Sequence, residues 1–183
     1  RFSNGPVWAE SIAAEFTAAG LVSGNFAFGG ATAVTNADAI PDLAQQTLIY
    51  AGTAAPVAGS RPLASVFFGA NDVLDAVNTF GAQADAVAQV GAAAIAAANA
   101  VGAGIGTLAA TGIRDFAVWN LPDIGRTPGL ALFAPAGAAA LASYAVSLFN
   151  AQLDTVIAGL GAVGLTVTEI DLLPIGGVSQ MAR

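Results

Sequence analysis

The chain has 183 residues, a net charge of −7 at pH 7 and only 9% charged residues, where a typical domain has about 25%. Its length fits one domain, large enough to bury roughly 70% of the surface of the unfolded chain. The acidic balance disfavours nucleic acids and anionic membranes as partners, because both are bound through basic patches. The chain contains no His and no Cys, which excludes a site for zinc or another soft metal.

Helix-like and strand-like segments alternate in the first part of the chain. Pro6 predicts the start of a helix, because proline favours the first helical position. The predicted elements that follow are a strand over 23–28 ended by Gly29-Gly30, a helix over about 41–50, a Gly/Pro-rich loop over 52–62 and a strand over 64–68. The short apolar runs bounded by glycine or proline favour strands, and the apolar spacing near 3.6 residues favours helices.

The same alternation continues to the end of the chain. The predicted elements are helical material over 73–110 that is broken near Gly81 and frayed over 102–104, a strand over 113–119, a helix over about 130–160 and a strand over 165–170. Strands that alternate with long helices predict a parallel sheet covered on both faces and joined by right-handed crossovers. The sequence shows no internal repeat and no linker, so a single domain is expected.

Two uncharged stretches, 86–113 and 127–153, are long enough to cross a membrane. We interpret both as buried or half-buried crossover helices. The first consists mostly of Ala and Gly, and the second contains two prolines and several polar residues.

Polar or Gly-rich turns follow every predicted strand. These turns contain Gly29-Gly30, Asn71-Asp72, Asn120 with Asp123, and Asp171. Because the carboxyl ends of parallel strands share one edge of the sheet, the functional site is expected at that edge.

Two of these turns together predict an oxyanion hole. Gly29-Gly30 presents a main-chain N–H that no side chain shields, and Asn71 presents a carboxamide N–H. Two such donors that converge on one point stabilise a developing oxyanion, each by about 3 kcal/mol. The alternative is a pair of ordinary strand-to-helix turns.

The remaining motifs favour structural roles. None of the eight serines is predicted to be a nucleophile, because without His or Lys only carboxylates remain as bases. Asp72 and Asp75 are interpreted as helix-capping residues rather than a metal or acid/base pair. The run 102–106 resembles part of a dinucleotide loop, but it follows a helical stretch rather than a strand, so chance is the better explanation.

Four segments in order, 1–8, 25–31, 69–72 and 118–125, resemble the SGNH (GDSL) hydrolase family, in particular bacterial GDSL esterases and lipases of the autotransporter-associated kind. The resemblance spans essentially the whole chain. It implies a three-layer α/β/α fold of flavodoxin type with a parallel sheet, and an enzyme that hydrolyses carboxylic esters, often of lipids.

The resemblance also implies roles for individual residues. Gly30, with Gly29 as the adjacent choice, and Asn71 would form the oxyanion hole, while Gly29, Asp72 and Asn120 would contact substrate. The nucleophilic Ser of the Gly-Asp-Ser-Leu block and the Asp-x-x-His block have no counterpart here. We therefore expect residues 1–183 to be one SGNH domain that lacks its first strand and its C-terminal segment, and that is inactive alone.

The expected partner is a small-molecule or lipid ester, with no cofactor and no nucleic acid. Membrane attachment is expected only through a C-terminal barrel beyond this chain, if the full-length protein has one. A secreted, periplasmic or outer-membrane location is expected. The alternative function is a non-catalytic α/β ligand-binding or scaffold module, in which Asn71 and Gly30 hold an anionic ligand.

Overall fold

A computed structural model describes residues 4–53 and 60–172. The elements in chain order are α1 (Trp8–Ala18), α2 (Leu43–Thr53), β1 (Leu63–Val66), α3 (Ala70–Phe80), α4 (Ala86–Ala110), β2 (Asp115–Trp119), a 3₁₀ turn (Ile124–Arg126), α5 (Pro128–Phe133), α6 (Ala138–Ala162) and β3 (Thr166–Ile170). Helices separate all three strands, as the sequence predicted.

The three strands form a parallel sheet in the order β1-β2-β3. Val66 of β1 pairs with Val118 of β2, and Val118 pairs with Glu169 of β3. The predicted α/β fold with a parallel sheet is therefore confirmed. All three strands end at the same edge, which brings their following turns to one side of the molecule.

The core lies between one face of the sheet and the helices α3, α4 and α6. Phe116 and Val118 of β2 are each 1% exposed, and they belong to one cluster with Ile105 of α4 and with Phe149 and Leu153 of α6. Alternate residues of a strand point to opposite faces, so Trp119 points away from this core. Its ring centroid lies 5.1 Å from that of Trp8, which places α1 against the other face.

Helix α4 is the one helix of the described residues that is long and apolar enough to cross a membrane by length and composition. It packs against α2, α3 and α6. Ala94, Ala97 and Ala98 are fully buried in that packing. These contacts account for its apolar composition and support the interpretation as a core helix.

The predicted fraying at 102–104 is wrong, because α4 continues without a break through Gly102 and Gly104. A Cβ atom on Gly104 would lie 2.7 Å from Cδ2 of Leu43, and one on Gly102 would lie 2.7 Å from Cγ1 of Val156. The glycines therefore let α2 and α6 approach α4 closely. The run 102–106 lies inside a helix and not at the strand-to-helix turn that a dinucleotide loop needs.

Substitution of Gly104 by alanine tests this close approach. We expect Gly104→Ala to destabilise the fold by about 1–3 kcal/mol, because an added methyl group overpacks a buried site. Gly106 lies on the same helix with no atom within 4 Å of an added Cβ, so Gly106→Ala is expected to be neutral or to stabilise by up to about 1 kcal/mol. Denaturant unfolding measures both changes, and equal effects at the two positions would contradict the packing role.

The predicted strand over 23–28 is wrong. Residues 21–28 have no regular secondary structure, and Oδ1 of Asn25 accepts a hydrogen bond from the N–H of Ala27 at 3.0 Å. This local turn competes with an extended ladder. In addition, β1 pairs only with β2 within the described residues, so segment 23–28 joins no strand of the sheet there.

Smaller differences concern helix ends. Pro6 precedes the N-cap Val7 instead of opening the helix. The predicted helix over 130–160 is two helices, α5 and α6, since the chain turns at Gly137 with a φ of +87°. The predicted break near Gly81 is confirmed, because Gly81 is the C-cap of α3. The predicted loop 52–62 begins inside α2, and its residues 54–59 lie outside the described residues.

Candidate functional site

The turn after β1 positions the start of α3 at the carboxyl edge of the sheet. Gly69 is the N-cap of α3 and has a φ of +112°, a conformation that residues other than glycine adopt only with strain. A Cβ atom on Gly69 would also collide with the ring of Phe149. The two constraints explain a glycine at this position, two residues before Asn71.

Gly29 and Gly30 form a tight turn beside this helix start. The N–H of Ala31 donates to the carbonyl of Phe28 at 3.4 Å, and Gly30 has a φ of +91°, as the third position of a type II turn requires. Both glycines are exposed. Within residues 4–53 and 60–172, the N–H of Gly30 has no hydrogen-bond acceptor.

Asn71 contacts the residue that follows this turn. Its Nδ2 donates to the carbonyl oxygen of Ala31 at 2.7 Å, and the side chain is half-buried. A carboxamide nitrogen carries two hydrogens, so one remains for another acceptor. The structure thus brings Asn71 next to the turn that contains Gly29 and Gly30.

Asp72 accepts hydrogen bonds from the loop that follows the Gly29-Gly30 turn. Its Oδ2 accepts the N–H of Ala33 at 2.8 Å and its Oδ1 accepts the N–H of Val34 at 2.9 Å. Burial raises the pKa of Asp72, the N–H groups of Ala33 and Val34 oppose this, and the nearby charge of Asp75 raises it further. Both carboxylate oxygens are engaged with main chain, so a direct contact between Asp72 and substrate stays a prediction.

Asp42 also holds this loop, a role that no sequence pattern predicted. Its Oδ1 accepts the N–H of Thr32 at 3.1 Å, and its Oδ2 accepts the N–H of Asn36 at 2.9 Å. The side chain is 1% exposed. Burial alone would raise the pKa of Asp42, but hydrogen bonds from Asn36 and Thr32 outweigh it and lower the pKa below its ordinary value.

The lowered pKa of Asp42 predicts a pH-dependent contribution to stability. A depressed pKa in the folded state means that the contribution is present above the ordinary value of 3.8 and is lost as pH falls through the folded pKa. At pH 7 we expect Asp42→Asn to destabilise the fold by about 2 kcal/mol, because hydrogen bonds to a charged group contribute about 1.5–3 kcal/mol. Thermal unfolding as a function of pH checks this: the gap between the two proteins should shrink below pH 3.8, and a gap that widens there would contradict the sign.

Asn120 lies in a different polar network. It is 2% exposed, its Nδ2 donates to Oε1 of Glu169 at 3.0 Å and to Oδ1 of Asp171 at 2.9 Å, and its Oδ1 accepts the N–H of Leu172 at 2.7 Å. Burial raises the pKa of Glu169; the hydrogen bond from Asn120 opposes this, and nearby carboxyl groups add to the rise. These bonds join the ends of β2 and β3. Because its amide is fully engaged, a role of Asn120 in substrate binding stays a prediction.

A groove of about 230 Å³ is lined in part by Asp72. Its lining combines apolar residues with polar side chains: Thr32, Val34, Thr35, Asn36, Asp72, Asp75, Ala76, Thr79, Phe80, Ala93 and Ala96. In the part of the chain that the structure describes, no group of three or more Asp or Glu residues could hold a metal ion.

Comparison with known proteins identifies one family. The family model described as GDSL-like Lipase/Acylhydrolase matches residues 1–180, nearly the whole chain. A search of curated proteins finds no match.

Proposed function

The chain belongs to the GDSL-like lipase/acylhydrolase family, and from this premise we propose that it supplies the oxyanion-binding part of a hydrolase acting on carboxylic esters. The single observation that carries the proposal is the contact of Asn71 with Ala31. It supports the proposal because Ala31 follows Gly30 in the chain, and the N–H of Gly30 has no acceptor within residues 4–53 and 60–172.

The two donors suit one step of ester hydrolysis. When a nucleophile adds to an ester carbonyl, the carbonyl oxygen becomes an oxyanion, and N–H groups fixed in advance stabilise it more than they stabilise the substrate. In the proposed mechanism Gly30 and the second hydrogen of Asn71 donate to that oxygen. Each donor contributes about 3 kcal/mol to the transition state.

The nucleophile and the base are proposed to come from sequence outside residues 1–183. The chain has no His and no Lys, and a serine hydroxyl needs such a base to attack at neutral pH. In the family that the chain resembles, a Ser attacks, a His takes its proton and an Asp orients the His. We place those three groups in flanking segments of the full-length protein.

The 183-residue chain alone is therefore expected to show no hydrolysis of p-nitrophenyl acetate above buffer, whereas the full-length protein hydrolyses it. The release of p-nitrophenolate measures both. The full-length protein with its flanking Ser changed to Ala serves as the control and should be inactive. Turnover by the 183-residue chain alone would show that the nucleophile lies within it. Inactivity of the full-length protein on a panel of short and long acyl esters would contradict the proposed function.

The absence of His and Lys also supports a second candidate, a non-catalytic module in which Gly30 and Asn71 hold an anionic ligand. The flanking coding sequence separates the two. An upstream Gly-Asp-Ser block and a downstream Asp-x-x-His block favour the enzyme, and their absence favours the module.

The proposed substrate is a small-molecule or lipid ester, and the proposed location is secreted, periplasmic or outer-membrane-associated. Both proposals follow from the resemblance to exported GDSL esterases. Fractionation of the native host with an antibody against the chain tests the location, and recovery in the cytosol alone would contradict it.

A further inference from the structure

We propose that Asp42 is a positioning residue for the reaction, which aims the N–H of Gly30 by holding the loop that follows it. The inference rests on the proposed function, because Gly30 matters only if an oxyanion forms beside it. Asp42 lies just before α2, away from the turn, and acts through the main chain of residues 32–36.

Asp42 accepts hydrogen bonds from the first and the last residue of the loop 32–36. One carboxylate oxygen accepts the N–H of Thr32, and the hydroxyl of Thr32 lies 2.8 Å from that same oxygen. The other oxygen accepts the N–H of Asn36. The carbonyl of Thr32 in turn accepts the N–H of Leu43 at 3.1 Å. Thr32 is thus fixed to the start of α2 through three of its polar groups.

Two side chains of α3 tie the same loop to that helix through three hydrogen bonds. Asp72 holds the N–H groups of Ala33 and Val34, and Asn71 holds the carbonyl of Ala31. Three consecutive main-chain N–H groups, from Thr32 to Val34, are therefore held by two buried carboxylates. Asp42 connects the loop to α2, and the α3 contacts connect it to the helix that carries Asn71.

Gly30 depends on these anchors for its direction. Its own N–H has no acceptor in the described part of the chain, and the turn that contains it is closed by one long hydrogen bond of 3.4 Å. Glycine also has more backbone freedom than any other residue. The peptide unit of Gly30 is held from the following side, through Ala31 and Thr32. If Thr32 is released, the N–H of Gly30 can swing away from the position of the oxyanion.

Loss of alignment is expected to affect kcat more than KM, because the oxyanion exists in the transition state and not in the bound ester. A misplacement of about 1 Å can cost about 10²-fold in rate. We expect Asp42→Asn in the full-length protein to lower kcat for p-nitrophenyl acetate by about 10–100-fold, with KM within about threefold.

The matched control is Asp38→Asn, which makes the same chemical change in the same loop. Asp38 is exposed and accepts the N–H of Ile40 at 2.7 Å, and within residues 4–53 and 60–172 it has no hydrogen bond to residues 30–34. Both kinetic constants of this variant should stay within about twofold of the wild type. Thr32→Val is the milder second variant: it keeps the N–H of Thr32 and removes the hydroxyl beside Asp42, and it should lower kcat less than Asp42→Asn does. All rates are referred to the folded fraction from circular dichroism, so loss of folded protein does not count as loss of kcat.

NMR of the 183-residue chain tests the same contact without catalysis. In Asp42→Asn and Thr32→Val, the main-chain signals of residues 29–31 should shift and the N–H of Thr32 should exchange faster with solvent. In Asp38→Asn both should stay as in the wild type.

The inference is overturned if Asp42→Asn lowers kcat no more than Asp38→Asn does, or if its effect appears in KM alone. Failure of the proposed function is a separate result: the wild-type protein then hydrolyses no ester. In that case NMR shifts at residues 29–31 in Asp42→Asn would still support the positioning of Gly30, and unchanged signals there would refute it.

Discussion

Asn71→Ala is expected to lower kcat for ester hydrolysis by the full-length protein by about 10²–10³-fold. The substitution removes the carboxamide that we propose as an oxyanion donor, and the loss falls on the transition state. KM should change little, because the neutral carbonyl of the bound ester gains less from that N–H. Steady-state kinetics with p-nitrophenyl acetate measures both constants.

Asn78→Ala is the matched control for this experiment. Asn78 is the same residue type on the same helix, two turns further along, and it is exposed. Its removal should leave kcat and KM within about twofold. Because Asn71→Ala also removes the hydrogen bond to Ala31, we expect a loss in stability of about 1 kcal/mol, which thermal unfolding separates from the loss in rate. A kcat for Asn71→Ala within threefold of the wild type would contradict the oxyanion role.

Gly69→Ala is expected to destabilise the fold by about 2–6 kcal/mol. One part is backbone strain of about 1–3 kcal/mol at the φ of +112°. The other is overpacking of about 1–3 kcal/mol, because the new Cβ collides with Phe149, and that ring is fully buried. Denaturant unfolding of the 183-residue chain measures the change.

Gly137→Ala separates the two causes. Gly137 is also a helix N-cap with a φ of +87°, but a Cβ there would have no neighbour within 4 Å. Gly137→Ala should lower the free energy of unfolding only by the strain contribution, about 1–2 kcal/mol. If both variants lose the same stability, the contact with Phe149 does not restrict Gly69.

The sequence was sufficient to predict the parallel sheet and the edge at which its three strands end. Strands β1, β2 and β3 were predicted because their apolar runs are short and are separated by long helical patterns. The strand over 23–28 was predicted from the same kind of pattern and was wrong. A strand exists only where a neighbour offers a ladder, and the hydrogen bond of Asn25 within its own segment cannot be read from apolar spacing.

The candidate site, too, could be predicted from the sequence only in part. The sequence predicted that Asn71 would lie near Gly30 from the rule that parallel strands end at a common edge. The rule holds for Asn71, which follows β1, but not for Gly30, because no strand precedes it; the hydrogen bond of Asn71 to Ala31 brings the two segments together. The role of Asp42 did not follow, since an Asp directly after Pro41 and before a helix resembles an ordinary N-cap. Its partners are loop N–H groups 6 and 10 residues earlier in the chain, and the path of that loop depends on tertiary structure. The hydrogen bonds of Asn120 could not be predicted either, because they depend on where β3 ends.

The contact between Trp8 and Trp119 has a practical consequence for spectroscopy. The chain has two tryptophans, and both rings meet where α1 touches the sheet. The indole N–H of Trp119 also donates to the hydroxyl of Ser65 at 2.8 Å. Intrinsic fluorescence excited at the indole band therefore reports chiefly on the docking of α1. Emission should be recorded together with far-ultraviolet circular dichroism, because detachment of this one helix would alter the emission while the central helices stay intact.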